Sequence, residues 1–181
     1  MKRFVLLDRD GTINVDCHYL RDLEQVELLP NSAAGLAELR RLGLGLVVLT
    51  NQSGVARGLF DEERLRQIHD RLRELLRARG VELDAIVACT HHPDDGCGCR
   101  KPLPGMAESA AREFGFSPPR AFVIGDKPCD IELGAAIGAT TLLVRTGYGG
   151  QYATHANVRP HFVVDDLLHA SRVIAELVQR D

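Results

Sequence analysis

The stretch Phe4-Val5-Leu6-Leu7-Asp8-Arg9-Asp10-Gly11-Thr12 decides how the rest of the chain is read. Four apolar residues end abruptly on a charged stop, the mark of a short strand buried on both faces. Asp8 and Asp10 stand two positions apart, which on an extended chain puts both carboxylates on the same side. Gly11 then lets the backbone turn away.

The same short apolar run recurs at 45–49, 85–88, 121–124 and 141–144, with a short edge strand at 162–164. Helical periodicity fills the intervals at 32–42, 61–79, 104–114, 130–137 and 165–179. In the second of these, Asp61 is the expected N-cap, Glu62 and Glu63 lie in the first turn, and Gly80 stops the helix. Apolar strands alternating with helices specify an α/β fold, a three-layer, Rossmann-like parallel sheet with helices on both faces. Two regions break the alternation. Residues 13–29 read as an irregular loop with a hairpin at 26–29, and residues 89–104 are rich in Cys, His, Gly, Asp and Pro. No insert is long enough for a separate cap domain, so residues 1–181 are expected to form one domain.

With 181 residues, 45% hydrophobic and 26% charged, the composition suits a soluble enzyme. Lys and Arg number 22 against 25 Asp and Glu, a formal charge of −3, which argues against nucleic acid as a partner. No apolar run approaches the ~20 residues of a membrane span. The apolar stretch after Met1-Lys2-Arg3 stops at Asp8, short of the ~7–15 residues of a secretory signal. A cytoplasmic location is therefore expected. The five cysteines are odd in number, which argues against a disulfide framework.

Parallel sheets bind ligands at the carboxyl ends of their strands. Strand one delivers Asp8 and Asp10 there, and strand two delivers Thr50-Asn51-Gln52-Ser53. Strand four delivers Gly125-Asp126-Lys127-Pro-Cys-Asp130, and Lys101 just precedes the helix before it. Clustered carboxylates need a cation, and hard oxygen ligands suit Mg²⁺. A carboxylate can attack phosphorus, a second can shuttle the proton, and lysine, hydroxyl and backbone N–H groups can hold the phosphoryl oxygens. Asp130 is open to two roles, helix N-cap and metal-shell residue.

Three thiols lie within eleven residues, at Cys89, Cys97 and Cys99, with His91 and His92 between them. Three thiolates and one imidazole match a closed tetrahedral Zn²⁺ site, although spacing alone does not choose between the two histidines. Such a site would stabilise the loop over about 89–101 and fix the backbone of Arg100 and Lys101 that follows it. Cys129 lies beside the Asp126–Asp130 loop and receives no role.

Asp8-Arg-Asp-Gly-Thr12, Thr50-Asn51, Lys101 and Gly125-Asp126-x-x-x-Asp130 together resemble the four motifs of the haloacid dehalogenase-like phosphatases, in order and over nearly the whole chain. The resemblance implies Asp8 as nucleophile and Asp10 as general acid/base. It implies Mg²⁺ held by the Asp8 carboxylate, the Asp10 backbone carbonyl and Asp126, with Thr50 and Lys101 holding the transferred phosphoryl group.

Thr50-Asn-Gln-Ser-Gly-Val-Ala-Arg-Gly58, Cys89-x-His-His-Pro93 and Cys97-x-Cys-Arg-Lys-Pro102 narrow the likeness. They resemble the D-glycero-D-manno-heptose 1,7-bisphosphate phosphatases, close to the histidinol-phosphate phosphatases. This implies His91 as the fourth zinc ligand. It also implies substrate contacts from Asp16, Cys17, His18, Tyr19, Asn51, Gln52, Ser53, Arg100 and Lys127. The implied reaction removes the C7 phosphate of the small-molecule sugar bisphosphate, in heptose precursor and lipopolysaccharide core synthesis. The alternatives are a histidinol-phosphate phosphatase, against which Arg100 speaks because that substrate carries a cation, and a non-enzymatic phospho-receiver module. The stretch from His91 to Cys97 is shorter than in many members of this branch, and the loop after Asn14 differs among them. With no cap and no assembly helix, a monomer is expected.

Overall fold

The computed structural model describes residues 2–180. Six strands form one parallel sheet: β1 (Phe4–Leu7), β2 (Gly45–Asn51), β3 (Ala85–Cys89), β4 (Phe122–Gly125), β5 (Thr140–Val144) and β6 (Phe162–Val164). Their spatial order is β3-β2-β1-β4-β5-β6. The expected α/β class, its parallel sheet and its short edge strand are therefore present. The order reverses direction between β1 and β4, and Asp8 begins where they meet, its N–H donating to the Ile124 carbonyl at 2.9 Å.

Alternation along each strand divides the core in two. Val5, Leu7, Leu46, Val48, Ile124 and Leu142 face one layer, built on α1 (Ser32–Arg41), α2 (Glu62–Arg77) and α6 (Leu167–Arg180). Phe4, Leu6, Val47, Leu49 and Val123 face the other, built on α3 (Gly105–Phe114) and α4 (Pro128–Ala136). A strand buried on both faces has no polar side to show, which is why these runs are continuously apolar. The second helix begins as expected, the Asp61 carboxylate accepting the Arg64 N–H at 2.7 Å.

Three local expectations change. The helix after β4 starts at Pro128, two residues before Asp130, because proline's fixed φ and missing N–H suit a first helical turn. The hairpin at 26–29 is reduced to one antiparallel bridge between Asn14 and Leu28. Ile13, Leu20 and Val26 plug the core, so the loop is pulled inward instead of pairing as a ribbon. A four-residue helix, α5 (Gly149–Tyr152), was not expected, since two glycines open it.

His69 on α2 has its Nε2 buried without a hydrogen-bond partner. Burial, with the Arg9 charge adding to it, pushes its pKa down to about 3 from 6.5. The unfolded chain therefore binds a proton that the native state refuses, and stability is lost as pH falls below 6.5. Between pH 7 and pH 5 this amounts to about 2 kcal/mol. In chemical denaturation at the two pH values, His69→Gln should remove most of that difference.

Candidate active site

Asp8 leaves the end of β1 and Asp126 the end of β4, neighbours at the switch point. Asp130 comes from the first turn of α4. The three carboxylates are buried, with oxygens within 4.8 Å of one another. Like charges this close in a dry site repel strongly. Lys101 answers two of them: its Nζ lies 2.7 Å from Asp8 Oδ1 and 2.7 Å from Asp130 Oδ1. Although burial favours the neutral amine, Asp130 and Asp8 hold the Lys101 pKa well above its usual range. Burial pushes Asp130 up to about 6, with Lys101 opposing.

Asp130 is not the helix N-cap: it stands in the first turn of α4, where its Oδ2 reaches back to accept the Lys127 N–H at 3.0 Å while Oδ1 meets Lys101. Both of its oxygens are thus occupied. Asp126 is different. Its Oδ2 accepts the Tyr148 N–H at 2.8 Å, but Oδ1 is buried with no partner. Burial, then the Asp8 charge, push its pKa up to about 8. Three clustered carboxylates, Asp8, Asp126 and Asp130, thus face the single ammonium of Lys101, while Asp10 pairs with Arg9 and Asp16 with Lys127. The surplus of two negative charges and the orphaned oxygen fit a divalent, oxygen-seeking cation between Asp8 and Asp126. Two glycines keep that space tight: a Cβ on Gly11 or Gly147 would fall 2.3 Å from Asp126 Oδ2.

Asp10 turns aside from this cluster. Its Oδ1 accepts from Arg9 Nε (3.1 Å) and Asn14 Nδ2 (2.9 Å), its Oδ2 from Arg9 Nη2 (2.8 Å) and Gln52 Nε2 (2.9 Å). Burial opposes the charge, but Arg9 and these donors hold the Asp10 pKa below the usual carboxylate range. Gln52 also donates to Thr50 Oγ1 at 2.7 Å, tying the end of β2 to the end of β1. The Asn51 side chain pairs both ways with the Lys101 backbone, at 3.1 and 3.0 Å, so it positions the lysine.

The second cluster stands just upstream of Lys101. The Sγ atoms of Cys89, Cys97 and Cys99 lie 3.2–3.6 Å apart, and His91 Nδ1 is 3.6 Å from Cys89 and 3.3 Å from Cys99. A tetrahedron with metal–sulfur bonds of about 2.3 Å has edges of about 3.8 Å. The geometry also chooses between the histidines: the His92 ring accepts the Asp94 N–H at 3.3 Å and caps the turn at Pro93–Asp95. The loop packs onto the start of α3, where a Cβ on Gly105 would strike the Gly98 carbonyl at 2.5 Å. Four soft or borderline ligands here could hold a metal.

A cavity of about 310 Å³ opens beside the carboxylates, lined by Asp16, His18, Tyr19, Asn51, Gln52, Ser53, Gly54, Lys127 and Tyr148. Most of the expected substrate contacts therefore converge. Cys17 and Arg100 do not line it. Cys17 is exposed, and Arg100 lines a separate recess of about 260 Å³ with Cys97 and Leu103, its Nη1 buried and unpaired. The Cys129 thiol, pushed up to about 12 by burial and then by Asp130, stays protonated and unassigned. Arg9, Asn14 and Tyr148 were missed by sequence reading. Arg9 sat inside the deciding motif without a role, and Tyr148 follows β5, the strand end that the motifs left unread.

Removing Lys101 should expose the repulsion it masks. At pH 8 with chelator present, Lys101→Met should lower the unfolding free energy by about 3 kcal/mol. Adding Asp130→Asn should restore at least about 1 kcal/mol, read by denaturant titration.

A family model described as HAD-hydrolase-like matches residues 98–170. The chain is 44% identical over 152 residues to D-glycero-beta-D-manno-heptose-1,7-bisphosphate 7-phosphatase of Photorhabdus laumondii, covering 79% of this chain and 80% of that protein. It is 38% identical over 171 residues to the Pseudomonas putida protein of the same name, covering 94% and 98%. The crystal structure of D,D-heptose 1,7-bisphosphate phosphatase from B. bronchiseptica, complexed with magnesium and phosphate, superposes with a TM-score of 0.90 at 36% identity, covering 99% of both chains. The chain is a phosphoric monoester hydrolase of the HAD-like phosphatases, and it belongs to the family of the D-glycero-beta-D-manno-heptose-1,7-bisphosphate 7-phosphatases.

Proposed function

We propose that the protein removes the C7 phosphate of D-glycero-β-D-manno-heptose 1,7-bisphosphate, the substrate in the names of its relatives. The observation that carries this reading is the Lys101 ammonium bridging Asp8 and Asp130 beside the orphaned Asp126 oxygen. Asp8 is the nucleophile. Its Oδ1 is engaged by Lys101, which leaves Oδ2 to attack phosphorus as the bond to the sugar oxygen breaks. Once it has turned out of the Arg9 clamp and taken up a proton from solvent, Asp10 gives that proton to the leaving sugar oxygen, and an aspartyl-phosphate remains on Asp8. Asp10 then accepts a proton from water, which attacks phosphorus and frees phosphate and Asp8. Four donors occupy the lone pairs of Asp10 as it stands, so reaching the sugar oxygen requires its carboxylate to turn out of the Arg9 clamp.

Lys101 and Thr50 hold the transferred phosphoryl oxygens, and both are buried. The Asp8 carboxylate, the Asp10 backbone carbonyl and Asp126 would hold Mg²⁺, which when bound neutralises charge on the phosphoryl group. Asp16, His18, Tyr19, Asn51, Gln52, Ser53 and Lys127 receive the sugar, and Arg100 with Cys17 completes the proposed contact set from outside the cavity. Cys89, His91, Cys97 and Cys99 would hold a structural Zn²⁺, all four positions being protein ligands. One domain, residues 1–181, carries the reaction as a monomer in the cytoplasm.

Asp8→Asn and Asp10→Asn should each cut phosphate release from the heptose bisphosphate by at least about 10³-fold with the fold intact by circular dichroism. Full activity in Asp8→Asn would overturn the assignment. For the second cluster, metal analysis of the purified protein should find one zinc for each chain. Cys97→Ser should lower both zinc content and melting temperature, the latter by about 5 °C or more.

A further inference from the structure

Tyr148 is held more firmly than a loop residue needs to be. Its N–H donates to Asp126 Oδ2 at 2.8 Å. The glycines on either side are packed against backbone: a Cβ on Gly147 would lie 2.6 Å from Gly11 Cα, and one on Gly149 would lie 1.7 Å from the Val144 carbonyl oxygen. The main chain here is packed closely on its neighbours, so the Cα of Tyr148 is placed by the same contacts that seat Asp126.

The ring closes a circuit of side chains along one side of the 310 Å³ cavity. The Tyr148 hydroxyl and His18 Nδ1 are 3.1 Å apart, within hydrogen-bond distance. The Lys127 ammonium lies over the Tyr148 ring, 5.2 Å from its centre. Lys127 Nζ pairs with Asp16 Oδ2 at 2.8 Å, and the other Asp16 oxygen accepts the His18 N–H at 2.7 Å. His18 has φ 64°, in the left-handed region that is uncommon for any residue but glycine. Three separate segments of chain thus meet in one wall, and a residue in the left-handed region is part of it. The opposite wall is the β2 end, from Asn51 to Gly54. Between them lies a slot with an aromatic face, a phenol, an imidazole and an ammonium. That combination suits a chain of carbinol groups, whose C–H edges lie on an aromatic ring while the hydroxyls hydrogen-bond around it.

We propose that Tyr148 is a specificity-determining residue, which with His18 forms the wall that selects the hydroxylated, non-reacting part of the phosphate ester. It stays clear of the phosphorus and acts on which ester is admitted. The inference rests on the proposed phosphatase reaction and names the residues of that site that read the sugar.

The test compares wild type with Tyr148→Phe, Tyr148→Leu and His18→Gly, all in Mg²⁺, on heptose 1,7-bisphosphate, a panel of other sugar phosphates, and acetyl phosphate, which has no hydroxyl to be read. Tyr148→Leu should lower the ratio of kcat/KM for the best sugar phosphate to that for acetyl phosphate by about tenfold or more. Most of the loss should appear as a raised KM for the sugar. Tyr148→Phe and His18→Gly should each lower the ratio about threefold, and they carry the test if the leucine variant fails to fold. A ratio unchanged within twofold in the folded variants overturns the proposal. If wild type prefers a different sugar phosphate, the heptose assignment fails while the Tyr148 ratio is still read on that substrate. If wild type handles no sugar phosphate better than acetyl phosphate, both fall.

Discussion

Everything at the end of this sheet is arranged around one ammonium group. Lys101 Nζ sits 2.7 Å from Asp8 and 2.7 Å from Asp130, and all three groups are out of water. A buried carboxylate pair without a cation would protonate or pull apart. The lysine holds the Asp8 carboxylate in place, as the proposed nucleophile needs, and it must itself be kept in place. Asn51 grips its backbone from β2, and the Cys/His cluster stands in the loop that leads into it. The start of α3, closed against Gly98, fixes the chain on the far side. A site of this kind is built by restraining its cations as carefully as its acids.

The parallel sheet makes this economical. Because β1 and β4 are neighbours, Asp8 and Asp126 arrive side by side with no loop to span the distance. Their closeness is also their cost, visible in the Asp126 pKa pushed up to about 8 by burial and by Asp8. A proton or a cation can offset that charge, and the unpartnered Asp126 Oδ1 is open to the cation proposed above. Asp10 is the counter-example. Drawn off by Arg9, Asn14 and Gln52, it is held ionised and pointing away, a carboxylate kept ready beside the cluster.

Much of this was legible in order along the chain. The apolar runs predicted every strand of the sheet because the inner strands are buried on both faces, and the half-buried edge strands β3 and β6 keep the same apolar pattern. Asp8 and Asp126 were legible because each follows such a run, and Lys101 because it just precedes the helix before strand four. What escaped had no one-dimensional signal. Asn51 stood among the implied substrate contacts, and its grip on the Lys101 backbone is visible only in the structure. His91 and His92 are equivalent by spacing, and only the turn at Pro93–Asp95 takes one of them away. Arg9 is almost wholly buried, and charge alone would have placed it at the surface.

The sequence by itself determined the layers and the chemical inventory, since strand burial and ligand type are properties of a residue and its near neighbours. The partnerships were decided only by the tertiary structure. Asp130 joins Lys101 across 29 positions, Gln52 joins Asp10 across 42, and Tyr148 meets His18 across 130. Such contacts depend on which strands lie adjacent and how far each loop reaches over them. No local pattern encodes that, because a hydrogen bond between distant segments leaves no periodic trace in either one.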